Sequence, residues 1–253
     1  MALIATEAIV LHAFNYLESS RIVRLATREA GLVSVLARGA RRPKSALAAL
    51  DLFAHGVAQI NVRPQRDLHT LTGFDVANSR HSLGSALPRF AAASMLSELV
   101  LRFGHEESAR ELFAPLAAGL DSLQHHGEDD PADVALRAAW QLVAAFGFTP
   151  TVDDCASCHT EIAPTDAALF DMRAGGVLCR NCAASAPGRR MLPATARDAI
   201  RAWLTGDASP LSDAATRKAH RRLLREFLAE HLSDGRALSA FAAWEEQCER
   251  DDA

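Results

Sequence analysis

Two C-x2-C knuckles, Cys155-Ala156-Ser157-Cys158 and Cys179-Arg180-Asn181-Cys182, stand twenty residues apart. Whatever this chain folds into must bring them together. One knuckle presents two thiolates at the spacing a tetrahedral ion needs, and two knuckles close a four-sulfur site with no position left for water or substrate. The stretch from Ala168 to Leu178, with Gly175-Gly176 inside it, reads as a hairpin returning the second knuckle to the first. One structural zinc is the expected occupant; a single iron suits the same ligands, and a redox dithiol needs no second matched pair. His159, directly after the first knuckle, is a less favoured substitute ligand, and Cys248 near the C-terminus reads as an incidental thiol. Four thiols with a metal to hold fit a reducing compartment better than disulfides do.

Around this module the periodicity changes once. Up to about residue 80 the apolar residues come in short, partly β-branched runs: Ala8–Phe14, Arg21–Thr27, Leu32–Ala37, Leu52–Val62 with a bend or bulge at Gly56, and Leu68–Val76 with Gly73. Five short strands with turn signals near every ten residues predict a small barrel, for which the oligonucleotide-binding (OB) barrel is the natural candidate; a small sandwich fits the same pattern. From about Ser82 the spacing is helical. Phe90, Leu96, Leu99, Val100 and Phe103 mark one helix, and Leu112, Phe113, Leu116, Leu120 and Leu123 another, where Pro115 predicts a kink or a late start. Asp130-Pro131 caps a helix to about Phe146 that is apolar nearly all round and belongs at the centre of a bundle. Later helices are predicted over Ala194–Leu204 with Gly206 beyond, Asp213–Leu232 with Gly235 beyond, and Ala237–Gln247.

Charge is distributed as unevenly as periodicity. The 253 residues carry a net charge of −4, which by itself argues against a general nucleic-acid binder. Residues 1–80, however, hold ten Lys and Arg against six acids, a net of +4, so residues 81–253 sit at −8. No acid lies between Ala30 and Leu50, and Arg38, Arg41, Arg42 and Lys44 fall within seven positions of a loop that follows Leu32–Ala37. Arg offers phosphate a planar fork of donors and Lys a point charge, so this loop suits a polyanionic backbone without reading bases. A solvated charge run is the plainer alternative. The barrel offers few aromatics for stacking, Phe14, Tyr16, Phe53 and Phe74, so affinity is expected mainly from phosphate neutralisation. A second basic stripe, Arg217, Arg221 and Arg225, lies along one helix and reads as a solvated face balanced by Asp213, Glu226 and Glu230, with a further protein or nucleic-acid contact as the weaker reading.

Signals for catalysis are lacking: there is no phosphate loop, nucleophile elbow, H-E-x-x-H pair or dinucleotide glycine fingerprint. The neighbouring acids Glu106-Glu107, Glu128-Asp129 and Glu245-Glu246 point apart on helices or loops, and His125-His126 has no matching ligand pair. A non-enzymatic protein is expected. No run reaches the roughly 18 apolar residues of a membrane helix, and the N-terminus lacks the basic start of a signal peptide, so a cytoplasmic protein is expected.

The segment Tyr16-Leu17-Glu18 through Ile22 to Gly31, followed by Gly39-Ala40-Arg41-Arg42-Pro43-Lys44-Ser45, resembles the N-terminal domain of the RecO family of bacterial DNA repair proteins. Gly147-Phe148-Thr149-Pro150 leading into the first knuckle, Gly175–Cys179 and Leu223–Leu228 resemble the rest of that family. Leu17 departs from it, since members commonly carry glycine there, which bears on the tightness of the first hairpin. The resemblance implies an α+β multidomain protein: an OB-fold barrel over 1–80, a helical domain over 81–150 and 187–253, and an inserted zinc module over 151–186. It also implies a recombination mediator near the nucleoid that binds single- and double-stranded DNA, anneals complementary strands, and works with RecR to load RecA onto strands coated by single-strand-binding protein. Carried over to this sequence, Arg38, Arg41, Arg42 and Lys44 would contact phosphates, and Cys155, Cys158, Cys179 and Cys182 would bind zinc. The family places contact with the tail of single-strand-binding protein in the helical domain, where the Arg217–Arg225 helix is the one candidate. A zinc-containing RNA-binding or transcription factor is the alternative reading of the same features.

Overall fold

A computed structural model of the chain describes residues 2–43, 45, 47–48, 50–104, 109–125, 130–184, 190–232 and 236–252. The chain divides into two compact units, 1–126 and 127–253.

The first unit is built on five strands, β1 (Ala2–Tyr16), β2 (Ser20–Thr27), β3 (Gly31–Ala37), β4 (His55–Val62) and β5 (Leu68–Asn78). They close in the order β1-β2-β3-β5-β4. Closure depends on β1, whose fifteen residues are long enough to pair with β4 through their first half and with β2 through their second. A bulge between Val10 and His12 turns the strand from one partner to the other. The parallel pairing of β3 with β5 completes the ring, and with it the barrel replaces the sandwich that the strand pattern equally allowed. Alternate residues point inward, so Val10, Val23, Leu25, Val35, Ala58, Ile60 and Leu71 fill the interior. Gly56 sits at a register shift against β5, where a Cβ would come within 2.2 Å of the Asp75 carbonyl oxygen, which is why no other residue fits there.

Two helices complete this unit, α1 (Leu87–Phe103) and α2 (Ala109–Gln124). The latter starts well before Pro115 and carries it internally, so the late start does not occur. Phe113 of α2 is buried, with the Arg28 guanidinium 4.7 Å over its ring and His55 edge-on to it. The change of periodicity near residue 81 is thus a change of secondary structure, and the boundary between compact units falls after α2. Arg80, buried and in a left-handed conformation (φ 48°), ties strand end to helix by donating to the Phe53 carbonyl at 2.8 Å and to Asp121 at 2.9 Å.

The second unit is helical around a small sheet. Asp130 caps α3 (Pro131–Ala145) by accepting from the Ala132 amide, and the helix is buried nearly all round, as its composition predicts. After the knuckle region come β6 (Ala168–Asp171), β7 (Gly176–Leu178), the single turn α4 (Arg180–Ala183), β8 (Arg190–Leu192), α5 (Ala194–Thr205), α6 (Ala214–His231) and α7 (Ser239–Asp251). The sheet runs β7-β6-β8, and its third strand carried no sequence signal. Gly206, at φ 93°, ends α5 as expected, whereas Gly235 lies outside the described residues. Trp140 of α3 meets Phe227 of α6 edge-to-face at 5.2 Å, and Phe227 in turn meets Phe170 of β6, so sheet and helices share one core.

Candidate metal centre and nucleic-acid interface

The β6–β7 hairpin does what the spacing of the knuckles requires. Leu169 pairs with Leu178 and Asp171 with Gly176, and the Asp171 carboxylate accepts from the Ala174 amide to hold the turn. Gly176 lies so close to Thr151 that a Cβ would meet its carbonyl oxygen at 2.4 Å. The first knuckle is folded by its own backbone: the Cys155 carbonyl accepts from His159 at 2.8 Å and the Cys155 amide donates to Thr160 at 2.9 Å. His159 takes φ 59° to make that turn, is exposed, and is not one of the converging ligands.

The four Sγ atoms of Cys155, Cys158, Cys179 and Cys182 lie within 4.8 Å of one another, and none is in a disulfide. Cys158 and Cys179 are 3.7 Å apart at sulfur. A tetrahedral zinc with Zn–S near 2.3 Å would separate its sulfurs by about 3.8 Å, so the donor set fits such an ion in both kind and spacing. The electrostatics agree. Burial pushes the Cys155 thiol up, but amides including those of Cys179 and Cys158 donate to its sulfur and bring it down to about 6. Hydrogen bonding with Cys158 and Cys179 pushes Cys182 up to about 12. One thiolate forms readily and the last is opposed by its neighbours, a conflict that a divalent cation relieves. Among the described residues this is the one cluster of three or more His, Cys, Asp or Glu able to hold a metal; His126, Glu128 and Asp129 lie outside them.

Arg197 of α5 holds the module from behind. It is fully buried and donates to four carbonyls: Val152 at 2.8 Å, Ala163 at 3.0 Å, Asp166 at 2.7 Å and Ile162 at 3.1 Å. These flank the first knuckle and the loop after it, where little regular structure exists to satisfy the backbone. Nothing in the sequence singled out this arginine.

In the first unit Arg38, Arg41 and Arg42 are exposed in the turn that follows β3, and Lys44 lies outside the described residues. Gly39 makes the turn at φ 70°, and the Arg42 amide closes it on the Gly39 carbonyl. The β1–β2 turn abuts it. Leu17 adopts φ 51° there, so the hairpin keeps its tight form with leucine in a conformation that suits glycine. Arg41 braces the two turns: its amide donates to Ser19 O at 3.0 Å, and its guanidinium to Glu18 O at 3.1 Å and Leu17 O at 3.3 Å. Between the turns is an open cleft of roughly 520 Å³, with Tyr16, Leu17, Arg38 and Arg42 around Ser20 and Leu36. Among the described residues Arg38 and Arg42 have no acidic partner.

The stripe on α6 is different. Arg217 faces Asp130 and Asp252, Lys218 pairs with Glu249, Arg221 with Asp252, Arg222 with Glu226 and Arg225 with Glu245. Arg221 is buried. The reading of these charges as balanced by acids is correct, and Glu226 is among them as expected, but Asp213 and Glu230 are not: the other acids are Glu245 and Glu249 of α7, Asp252 just beyond it and Asp130. Cys248, in the last turn of α7, is also buried, which pushes its thiol up to about 12.

The family described as Recombination protein O N terminal matches residues 1–80, and Recombination protein O C terminal matches residues 84–239. A DNA repair protein RecO of Symbiobacterium thermophilum is 34% identical over 245 residues, covering 95% of this chain and 91% of the relative. One from an Anaeromyxobacter species is 36% identical over 242 residues, covering 92% and 91%, and one from Rubrobacter xylanophilus is 30% identical over 234 residues, covering 92% of each.

Proposed function

The chain belongs to the RecO family of DNA repair proteins, and on that premise we propose that it is a non-enzymatic recombination mediator that grips DNA by its phosphates and anneals complementary strands. The observation that carries this reading is the pair Arg38 and Arg42, without an acidic partner among the described residues and lining the open cleft between two tight turns. Phosphate contacts of this kind tolerate sequence and strandedness, as a protein that pairs two strands and releases them requires. Arg41 has a double part. Its guanidinium braces the β1–β2 turn through two carbonyls and still has donors to offer a phosphate. Lys44 is proposed as a fourth contact from its place in the same basic segment. Single- and double-stranded DNA are the direct ligands in this reading, with RecR, single-strand-binding protein and, through them, RecA as the partners that family membership suggests.

One structural zinc is proposed for Cys155, Cys158, Cys179 and Cys182. Its chemistry there is neutralisation of thiolate charge and cross-linking of two knuckles; with four protein sulfurs around it no position remains for a substrate. The chain's own residues then orient the module, Arg197 through its four carbonyls and Gly176 through its close approach to Thr151.

Strand annealing tests the proposal. Complementary oligonucleotides should anneal faster with the protein than without it, and the acceleration should nearly vanish in a variant with Arg38, Arg41 and Arg42 all changed to Ala. Because Arg41 also braces a turn, the double variant Arg38→Ala/Arg42→Ala is the cleaner measurement and should lose most of the effect. Full annealing in both variants would sink the assignment. Preference for RNA in direct competition would favour the RNA-binding alternative, since such a protein would use the 2′-hydroxyl.

A further inference from the structure

Beyond Val10 the long first strand leaves the β4 edge and runs on as one arm of the β1–β2 hairpin. His12, Phe14 and Tyr16 then fall on the outward face, while Ala13 between them packs on the barrel core. Phe14 is 44% exposed and Tyr16 41%, whereas Phe53 and Phe74, the other two aromatics of the barrel strands and their connections, are buried. The exposed pair is therefore set apart by the pleat, on a face that continues across the sheet. Phe14 lies opposite Ile22, which lies opposite Leu36, and His12 lies opposite Arg24, which lies opposite Ser34. The rings of His12 and Phe14 already touch at 5.8 Å between centroids, and Tyr16 and Leu36 line the cleft that Arg38 and Arg42 border.

We infer that His12, Phe14 and Tyr16 form a base-stacking row for single-stranded DNA, with Arg24 at one end and Arg38 and Arg42 at the other to hold its phosphates. This rests on the DNA-binding reading above and adds to it the part of the site that senses strandedness. Residues two apart on a strand are separated by about 6.8 Å. Successive bases of B-form DNA are about 3.4 Å apart along each strand, so a row at twice that spacing accepts one base per ring only from a strand pulled out of its helical stack. A duplex cannot comply, because both faces of each base are covered by neighbours. Base faces bind aromatic rings regardless of sequence, which keeps the site tolerant of any strand awaiting its complement. The charge is complementary too: among the described residues no acid forms an ion pair with Arg24, Arg38 or Arg42, and the one acid between residues 8 and 28 is Glu18 in the turn itself.

Tyr16 is the single tyrosine of the chain, so full-length protein made with fluorotyrosine gives one fluorine resonance that reports this position directly. That resonance should shift on saturation with a short oligothymidylate and stay in place with inorganic polyphosphate or with a blunt duplex. Tyr16→Ala should weaken oligothymidylate binding by roughly tenfold and duplex binding several-fold less, with the salt slope kept, Phe14→Ala should act in the same direction, and Tyr16→Phe should restore oligothymidylate binding. An unmoved resonance with oligothymidylate, or a Tyr16→Ala loss that falls equally on duplex, would overturn the row. The two levels separate cleanly: if Arg38→Ala/Arg42→Ala weakens both ligands while Tyr16→Ala weakens neither, the phosphate grip stands and the stacking row fails. If the double Arg variant leaves both affinities unchanged, the DNA-binding reading fails with it.

Discussion

Among the described residues three arginines are almost wholly buried, and each does a different structural job. Arg80 links a strand end to α2, Arg221 pairs with Asp252, and Arg197 satisfies four carbonyls of the knuckle region at once. Arg197 is the most consequential, because the loop from Ile162 to Asp166 has only two backbone bonds of its own, Ile162 N–H to Asp153 O and Asp166 N–H to Ala163 O, and three of its carbonyls accept from one guanidinium. Arg197→Met keeps the stem but takes the donor from the Val152, Ile162 and Asp166 carbonyls, while Ala163 O keeps the Asp166 amide, so it should destabilise the protein by on the order of 3 kcal/mol. Denaturant titration with unchanged slope measures this, and a loss below about 1 kcal/mol would mean that water replaces the guanidinium. The position was illegible in the sequence. Arg197 sits in a helix with Asp198 and Arg201, and nothing local separates a surface arginine from a buried one; Asp153 and Asp198 hold the exposed Arg201 next to it in the ordinary surface manner. Leu17 shows the opposite case. Its left-handed turn was foreshadowed by the glycine that related proteins commonly carry, because backbone demand there is local.

At the level of elements the metal module and the barrel rely on different forces. β6, β7 and β8 have four, three and three residues, too short to stand as a sheet without help. Their support comes from the four sulfurs on one side and from the contact of Phe170 with Phe227 on the other. Removal of metal by a chelator should therefore release one zinc per chain and open the knuckle segment to proteolysis within 151–186, while the helical circular-dichroism signal largely persists. Collapse of the whole second unit on chelation would show that its helices depend on the module. The barrel needs no such aid, since a closed ring leaves no open edge and its interior is filled by alternate residues of all five strands. Part of the basic stripe of α6 docks α7: Lys218 and Arg225 reach Glu249 and Glu245 of α7, and Arg217 and Arg221 reach Asp252 just beyond it, while Arg222 pairs within α6, so that helix was legible as amphipathic and charged but not as an internal interface.

For the molecule as a whole, net charge misleads and its distribution informs. Residues 1–126 sum to +2 and residues 127–253 to −6, and within the first unit several cations are already engaged, Arg80 by Asp121 and Arg28 by Glu7. Charges more than about 8–10 Å apart are largely screened at physiological ionic strength, so the proposed phosphate contacts depend on the local loop rather than on the total of −4. The logarithm of single-strand affinity should fall with the logarithm of salt at a slope of roughly −3 if Arg38, Arg41, Arg42 and Lys44 all engage, from about −0.7 per phosphate. A slope near zero in a filter-binding titration would exclude them. Legibility divides along the same line as range. The knuckles, the strand and helix periods, the Asp130-Pro131 cap, the Gly206 stop and the basic loop were all readable, because each is a relation among residues a few positions apart and carries its chemistry in the residue types. The parallel closure of β3 on β5, the membership of α1 and α2 in the barrel's unit, the burial of Arg197, and the outward turn of Phe14 and Tyr16 after the bulge were decided by tertiary structure. Each depends on which distant segment arrives alongside, and a strand that shifts by one residue exchanges its faces, so no local pattern could say which aromatics would be left exposed.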